Sequence, residues 1–81
     1  MLSDEFERLV EQYQSALMRL AYGMAGDRTV AEDAVQACWQ AAWRDRDQID
    51  RARMRGWLLL NIRRRTLHLL FMLLRSRKPP C

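Results

Sequence analysis

Two groups of polar side chains in this 81-residue chain have residue types and spacing suited to binding. The first is a set of carboxylate and amide side chains at helical spacing: Glu32, Asp33, Gln36 and Gln40. No Lys or Arg interrupts them before Arg44, so they predict an acidic, amide-rich helix face. Such a face is ordinarily solvated surface, and the alternative is a docking surface for a partner.

The second group is basic, because six arginines lie around Trp57, with Asn61 one turn further along. Guanidinium groups bind phosphates, an aromatic ring stacks on bases and an amide contacts base edges, so this combination indicates a single-stranded nucleic-acid site. Three leucines follow Trp57, which favours a core position for the indole itself. Arg63, Arg64 and Arg65 fan over about 200° of a helix, so at least one of them faces solvent.

The charge is divided between the two parts of the chain. Residues 1–50 hold ten acidic residues and five arginines, a net charge of −5. Residues 51–81 hold eight arginines, one lysine and no acid, a net charge of +9. A basic segment attracts phosphate backbones or anionic lipid, although a solvated Arg-rich helix face is the plain alternative. The basic and apolar residues near the C-terminus are mixed rather than segregated, which disfavours a membrane-surface role.

Residues for catalysis or metal binding are not grouped in a useful way. His68 is the one histidine and lies among leucines, which predicts a core or interface position. Glu32 and Asp33 are adjacent, so on a helix they diverge by about 100° and cannot act as an acid–base pair. Cys38 and Cys81 form neither a disulfide framework nor a metal site, and they fit a reducing, cytoplasmic compartment. We predict no enzyme, no cofactor, no metal and no small-molecule substrate.

Helices must position both groups. Asp4 and Glu7 form a predicted capping box for a first helix. Residues 26–28 are predicted to form the turn that follows this helix. Its apolar residues recur at helical spacing: Phe6, Leu9, Val10, Tyr13, Leu17, Leu20, Ala21 and Met24. Thr29 and Glu32 form a second predicted capping box, for a helix over residues 30–44. Its apolar stripe, which places Cys38 in the core, is Ala31, Ala34, Val35, Cys38, Trp39 and Ala42.

A third helix is predicted to begin between residues 52 and 56 and to end near Arg75, before the prolines at 79 and 80. A polar loop precedes it, and Ile49 is expected to pin that loop to the core. Residues 67–74 are apolar on nearly every side but too few to span a bilayer, which takes roughly 20 residues. They must therefore be covered by the rest of the domain, by a second copy or by a partner. The prediction is an all-α bundle of three main helices, with residues 1–78 as one domain and 79–81 as a tail or linker.

The second helix resembles the core-binding helix in region 2 of bacterial sigma factors, most closely the extracytoplasmic-function group. The residues that carry the resemblance are Ala31, Glu32, Asp33, Gln36, Trp39, Ala42 and Trp43. As in the family, a polar loop follows this helix, and Trp57 and Leu58 then open a basic helix. The resemblance covers roughly residues 5–68.

The resemblance implies a transcription-initiation module. Asp33 and Gln36, flanked by Glu32 and Gln40, would dock on the clamp coiled coil of the β′ subunit of RNA polymerase. The loop and basic helix would engage the single-stranded promoter −10 element. The residues implied for DNA are Arg51, Arg53 and Arg55 in the loop, with Trp57, Arg63 and Arg64 on the helix. An anti-sigma protein is a possible further partner.

This chain departs from the family's usual pattern at several positions. Asn61 stands where the family usually has an apolar residue, Arg64 where it often has Asn, and His68 where it commonly has Asp or Asn. Residues 69–74 replace a polar, basic continuation of the helix. Either the far end of the helix is a protein interface, or promoter recognition is degraded. The rival function is an interaction module that binds a regulator or a second copy through residues 67–74, with Leu70, Phe71 and Leu74 as its interface. The family's C-terminal helix-turn-helix is not present in these 81 residues, and the two prolines are either the start of a linker to it or a natural end.

Overall fold

A computed structural model describes residues 3–76 as three helices and one short turn of 3-10 helix. Helix α1 spans Ser3–Ala25, α2 spans Arg28–Arg44, the 3-10 turn spans Arg51–Arg53 and α3 spans Met54–Ser76. These residues contain no strand, which confirms the all-α prediction. The predicted helix stop before Pro79 and the tail at 79–81 lie outside the described residues.

The core lies where all three helices meet, and α2 supplies the largest share of it. Seven residues of α2 are buried, and the predicted stripe is confirmed apart from Trp39, which is half-buried. Those seven are Val30, Ala31, Ala34, Val35, Cys38, Ala41 and Ala42. Four of them are alanines, which let neighbouring helices approach α2 closely. From α1 the buried residues are Phe6, Leu17 and Ala21, and from α3 they are Met54, Leu58, Ile62 and Thr66.

Cys38 is a core residue, as predicted. Its side chain is fully buried, and its Sγ lies 3.8 Å from the carbonyl oxygen of Leu58, to which it donates a weak hydrogen bond. Burial raises the pKa of Cys38 to about 11, against a smaller opposing effect of the Arg65 charge. The thiol is therefore neutral at physiological pH and acts as a small apolar side chain.

Both predicted capping boxes are wrong. The N-cap of α2 is Asp27: its backbone is extended, and its Oδ1 accepts a hydrogen bond from the N–H of Val30 at 3.1 Å, so Thr29 lies inside the first turn. The reason is the preceding residue: Gly26 has φ of 67°, the left-handed conformation that terminates α1, and Asp27 is then the first residue able to cap. Asp4 likewise lies inside the first turn of α1, which includes Ser3.

The segment between α2 and α3 is held at both ends. The N–H of Asp45 bonds to the carbonyl of Ala41 at 3.0 Å, and Asp50 accepts the N–H of Ala52 at 3.2 Å to cap the 3-10 turn. Ile49 is half-buried against the core, as expected. Helix α3 begins at Met54, within the predicted interval. The placement of Arg51, Arg53 and Arg55 in a loop is wrong, because Arg51 and Arg53 belong to the 3-10 turn and Arg55 to the first turn of α3.

Candidate functional site

The predicted acidic face exists on α2. Glu32, Asp33, Gln36 and Gln40 are all exposed, and their spacing places them within about 100° of the helix circumference. From Glu32 to Gln40 the face extends about 12 Å along the helix axis. It lies on the side of α2 opposite the buried stripe, so binding there does not require the core to open.

An open groove of about 440 Å³ runs beside this face, between α1 and α2. Its floor includes the apolar side chains of Met18, Val35 and Trp39. Its remaining lining residues are Gln14, Glu32, Gln36, Gln40 and Trp43. An apolar floor beside amides and a carboxylate is the composition of a protein-docking groove.

The aromatic residues of the groove are fixed in place. The indole N–H of Trp39 donates to Oε1 of Gln14 at 2.6 Å, which ties α2 to α1. Phe6 packs edge-on against both indoles, with ring centroids 5.7 Å from Trp39 and 5.0 Å from Trp43. The guanidinium of Arg46 covers the Trp43 ring at 3.8 Å. The groove therefore presents a preformed surface to a partner.

The two carboxylates of the acidic face differ in their partners. Glu32 forms an exposed ion pair with Arg28, one turn earlier, at 2.9 Å. Asp33 has no ion pair or hydrogen-bond partner among residues 3–76. Asp33 is therefore the carboxylate that can accept a cation from outside without first breaking an internal contact.

On the basic side, Trp57 is in part a core residue and in part an accessible aromatic surface. The indole is half-buried and packs against the core, in line with the core position that the following leucines favour. It also lines a second pocket, of about 330 Å³, between the α2–α3 connection and α3. The other lining residues are Asp45, Gln48, Ile49, Asp50 and Arg53.

The predicted DNA-contacting arginines do not form one cluster. Arg51 is paired with Glu5 of α1 at 3.4 Å, and Arg55 lies two residues before Trp57, on nearly the opposite side of α3. Arg63 and Arg64 are both exposed. Arg64 follows Trp57 by seven residues, which places it on the same side of the helix and about 10 Å further along. Of the predicted set, Arg53, Trp57 and Arg64 therefore lie along one side of the domain, whereas Arg51 and Arg55 do not join them.

The far end of α3 is only partly covered by the rest of the domain. Phe71 and Leu74 are exposed, whereas Leu70 is half-buried. Leu70 and Leu74 line a small cleft against the α1–α2 turn, of about 260 Å³. His68 is exposed, so the core alternative for it is wrong.

The order of these parts along the chain is matched by a known family. The family model described as Sigma-70 region 2 matches residues 9–78. The chain belongs to this family. No curated protein and no solved structure matches it. Sigma-70 region 2 domains bind core RNA polymerase and promoter DNA, and the family is one of transcription factors rather than enzymes.

Several residues of this sigma-70 region 2 domain that shape the groove were not predicted to do so. Gln14 and Met18 lie on α1, and the bond from Gln14 to Trp39 joins residues 25 positions apart. Helical periodicity reports only which face of one helix is buried, so no local signal reveals that pairing.

Two further features are absent from residues 3–76. No helix there is both long enough and apolar enough to cross a membrane. No group of three or more His, Cys, Asp or Glu side chains in that span is placed to hold a metal ion.

Proposed function

We propose that this sigma-70 region 2 domain is a cytoplasmic, bacterial adaptor of the extracytoplasmic-function group, formed by residues 1–78. One side docks on the clamp coiled coil of the polymerase β′ subunit, and another engages the single-stranded −10 element. The observation that carries the proposal is the exposed acidic face of α2 beside a preformed apolar groove. A surface of that composition suits a helical partner with apolar and basic residues.

Docking on the polymerase would use the groove and the acidic face together. An apolar ridge of a clamp helix would cover Val35 and Trp39, while Gln36 and Gln40 supply hydrogen bonds at the edge. Asp33 would pair with a basic residue of the clamp because its carboxylate has no partner within residues 3–76. Glu32 would contribute less, since Arg28 already neutralises it.

The DNA side would use the pocket beside Trp57. An unstacked base entering it would meet the indole of Trp57, the amide of Gln48 and the apolar side chain of Ile49. Arg53 would contact phosphate at the pocket, and Arg63 and Arg64 would contact phosphates further along α3. Arg51 would have to exchange Glu5 for a phosphate, and Arg55 would contact DNA only where the strand curves around the start of α3.

The polymerase side is tested by calorimetric titration with an isolated β′ clamp coiled-coil fragment at moderate salt. Asp33→Ala or Gln36→Ala should weaken binding about ten-fold with unchanged helix content, because each removes a contact near the centre of the interface. Gln12→Ala, which removes an exposed amide from the other side of α1, serves as the matched control. Normal binding by both α2 variants would remove this face from the docking surface.

The DNA side is tested by the salt dependence of binding to a single-stranded −10 oligonucleotide. Arg63→Gln combined with Arg64→Gln should lower affinity and reduce the slope of log K against log salt by about one to two, because two phosphate contacts are lost. Arg8→Gln removes an exposed cation from α1 and should leave the slope unchanged. A double variant with the wild-type slope would mean that neither arginine contacts phosphate.

A second candidate function is favoured by the exposed apolar side chains of residues 67–74. These residues would form a protein interface for a regulator, such as an anti-sigma protein, or for a second copy. A partner bound there would leave the acidic face of α2 accessible, because that face and the far end of α3 are different surfaces.

A further inference from the structure

Helix α3 carries a second apolar stripe, opposite its own buried residues, and Leu74 at its far end also borders the cleft against the α1–α2 turn. Leu60, Leu67 and Leu74 are spaced seven residues apart and are 49%, 58% and 69% exposed. Phe71, also 58% exposed, lies about 20° around the helix from Leu60, on the side away from Leu67 and Leu74. We refer to these four residues as the outer stripe.

The outer stripe forms a partial coiled-coil seam: Leu60, Leu67 and Leu74 share one heptad position, and Phe71 occupies the other, where Arg64 stands one heptad earlier. Residues seven apart drift by only about 20° per repeat, so the three leucines stay within about 40° of one another over roughly 21 Å. The buried residues Leu58 and Ile62 lie about 160° and 200° around the helix from Leu60, on the opposite side. One face of α3 therefore fills the core, and the other is patterned to receive a further helix.

The flanks of the outer stripe are basic. Arg63 and Arg64 lie on either side of it, between Leu60 and Leu67, and both are exposed. Arg75 flanks its far end, with the guanidinium 5.7 Å from the centre of the Phe71 ring. No acidic residue follows Asp50 in the sequence, so α3 offers these arginines no partner of its own.

Charge decides between the possible occupants of this seam. A second copy of α3, parallel or antiparallel, would bring two helices together that each carry arginines and no acid. Residues 77–81 contain Arg77 and Lys78 and have the same sign. Like charges across a seam disfavour pairing, and opposite charges beside it select a partner.

We propose that the outer stripe is the docking site for an acidic amphipathic helix of another protein, with apolar residues in its seam and Glu or Asp on its flanks. The inference rests on the second candidate function above and specifies its partner. A helix bound there would also cover Arg64, which the first function assigns to DNA. Such a partner would therefore compete with promoter DNA while leaving the acidic face of α2 free.

The probe is a 21-residue peptide of three heptads with Leu at positions a and d and Glu at positions e and g. Its own glutamates oppose self-pairing at neutral pH. The matched peptide has Lys in place of every Glu. Binding of each peptide to the domain is measured by fluorescence anisotropy at low and high salt.

The acidic peptide should bind at least about ten-fold more tightly than the Lys peptide, and its advantage should shrink at high salt. Leu67→Ala should weaken its binding about ten-fold, because a leucine at the centre of the seam loses most of its contact area. Met72→Ala is the matched control: Met72 is similarly exposed on α3 but lies outside the outer stripe, so binding should not change.

Equal binding of the two peptides, or equal effects of the two substitutions, would overturn the proposal. So would concentration-dependent dimerisation of the domain that Leu67→Ala abolishes, since a second copy would then be the occupant. None of these readouts involves polymerase. A failure of clamp docking on α2 would therefore be seen separately, in the calorimetric titration.

Discussion

Helices α2 and α3 contribute to the same core but leave different surfaces exposed. Helix α2 buries seven of its 17 residues and exposes an acidic, amide-rich face. Helix α3 buries four of its 23 residues and exposes arginines and large apolar side chains. Burial follows helical periodicity in both cases, whereas the chemistry of the exposed remainder differs. We propose that this difference separates a surface for polymerase from surfaces for DNA and for a helical partner.

The contrast also shows in the large apolar side chains that are exposed: α2 has one, Trp43, whereas α3 has six. Small residues on α2 allow α1 and α3 to approach it closely, and its exposed face is polar. Around α3, the other helices cover one side only, so leucines on the far side stay exposed. Exposed apolar residues in a continuous stripe are typical of an interaction site.

The largest expected effect separates the two leucine faces of α3. Leu58→Ala should lower the free energy of unfolding by about 2–5 kcal/mol, because Leu58 is 1% exposed and its truncation leaves a cavity. Leu67→Ala should change it by no more than about 0.5 kcal/mol, because Leu67 is mostly in solvent. Urea denaturation monitored by circular dichroism measures both. Equal losses would show that residues 67–74 are packed against the domain in solution.

A smaller change in the free energy of unfolding, an increase, is expected on replacing a buried polar group of α3. Oδ1 of Asn61 is buried and accepts no hydrogen bond from any described residue. An unsatisfied buried acceptor costs about 1–3 kcal/mol, so Asn61→Leu should raise the free energy of unfolding by about 1 kcal/mol. The same denaturation experiment tests it, and a destabilised variant would contradict this interpretation of Asn61.

An effect of similar size, but destabilising, distinguishes two candidate N-caps of α2. Asp27→Ala should cost about 1 kcal/mol, because the side chain of Asp27 satisfies the N–H of Val30. Thr29→Ala should be nearly neutral, since Thr29 is exposed within the first helical turn. The two variants are compared by their thermal midpoints. A larger loss for Thr29→Ala would restore the capping box that the structure replaces.

The helices and the buried stripe of α2 could be predicted because both depend on local spacing. Apolar residues at three- and four-residue intervals specify which side of a helix faces the core, whatever packs against it. The anchoring of Ile49 could also be predicted, because Ile49 is the single apolar residue in a polar stretch. The exposure of the acidic face followed from the same periodicity.

The remaining features depend on contacts between distant residues or on competition between neighbours. Two residues could cap α2, and the choice depended on the left-handed conformation of Gly26. The pairing of Arg51 with Glu5 and the bond between Gln14 and Trp39 each join different elements. The exposure of His68 depends on how far the other helices extend along α3, which its own sequence does not encode.

The central claim is that polymerase and DNA bind different surfaces of one small domain. The most direct test titrates the β′ clamp fragment into the domain with and without a saturating single-stranded −10 oligonucleotide. The two Kd values should agree within about two-fold, because the acidic face of α2 and the arginines of α3 are separate. Displacement of the clamp fragment by the oligonucleotide would show that both ligands use one surface, and would contradict the two-sided adaptor.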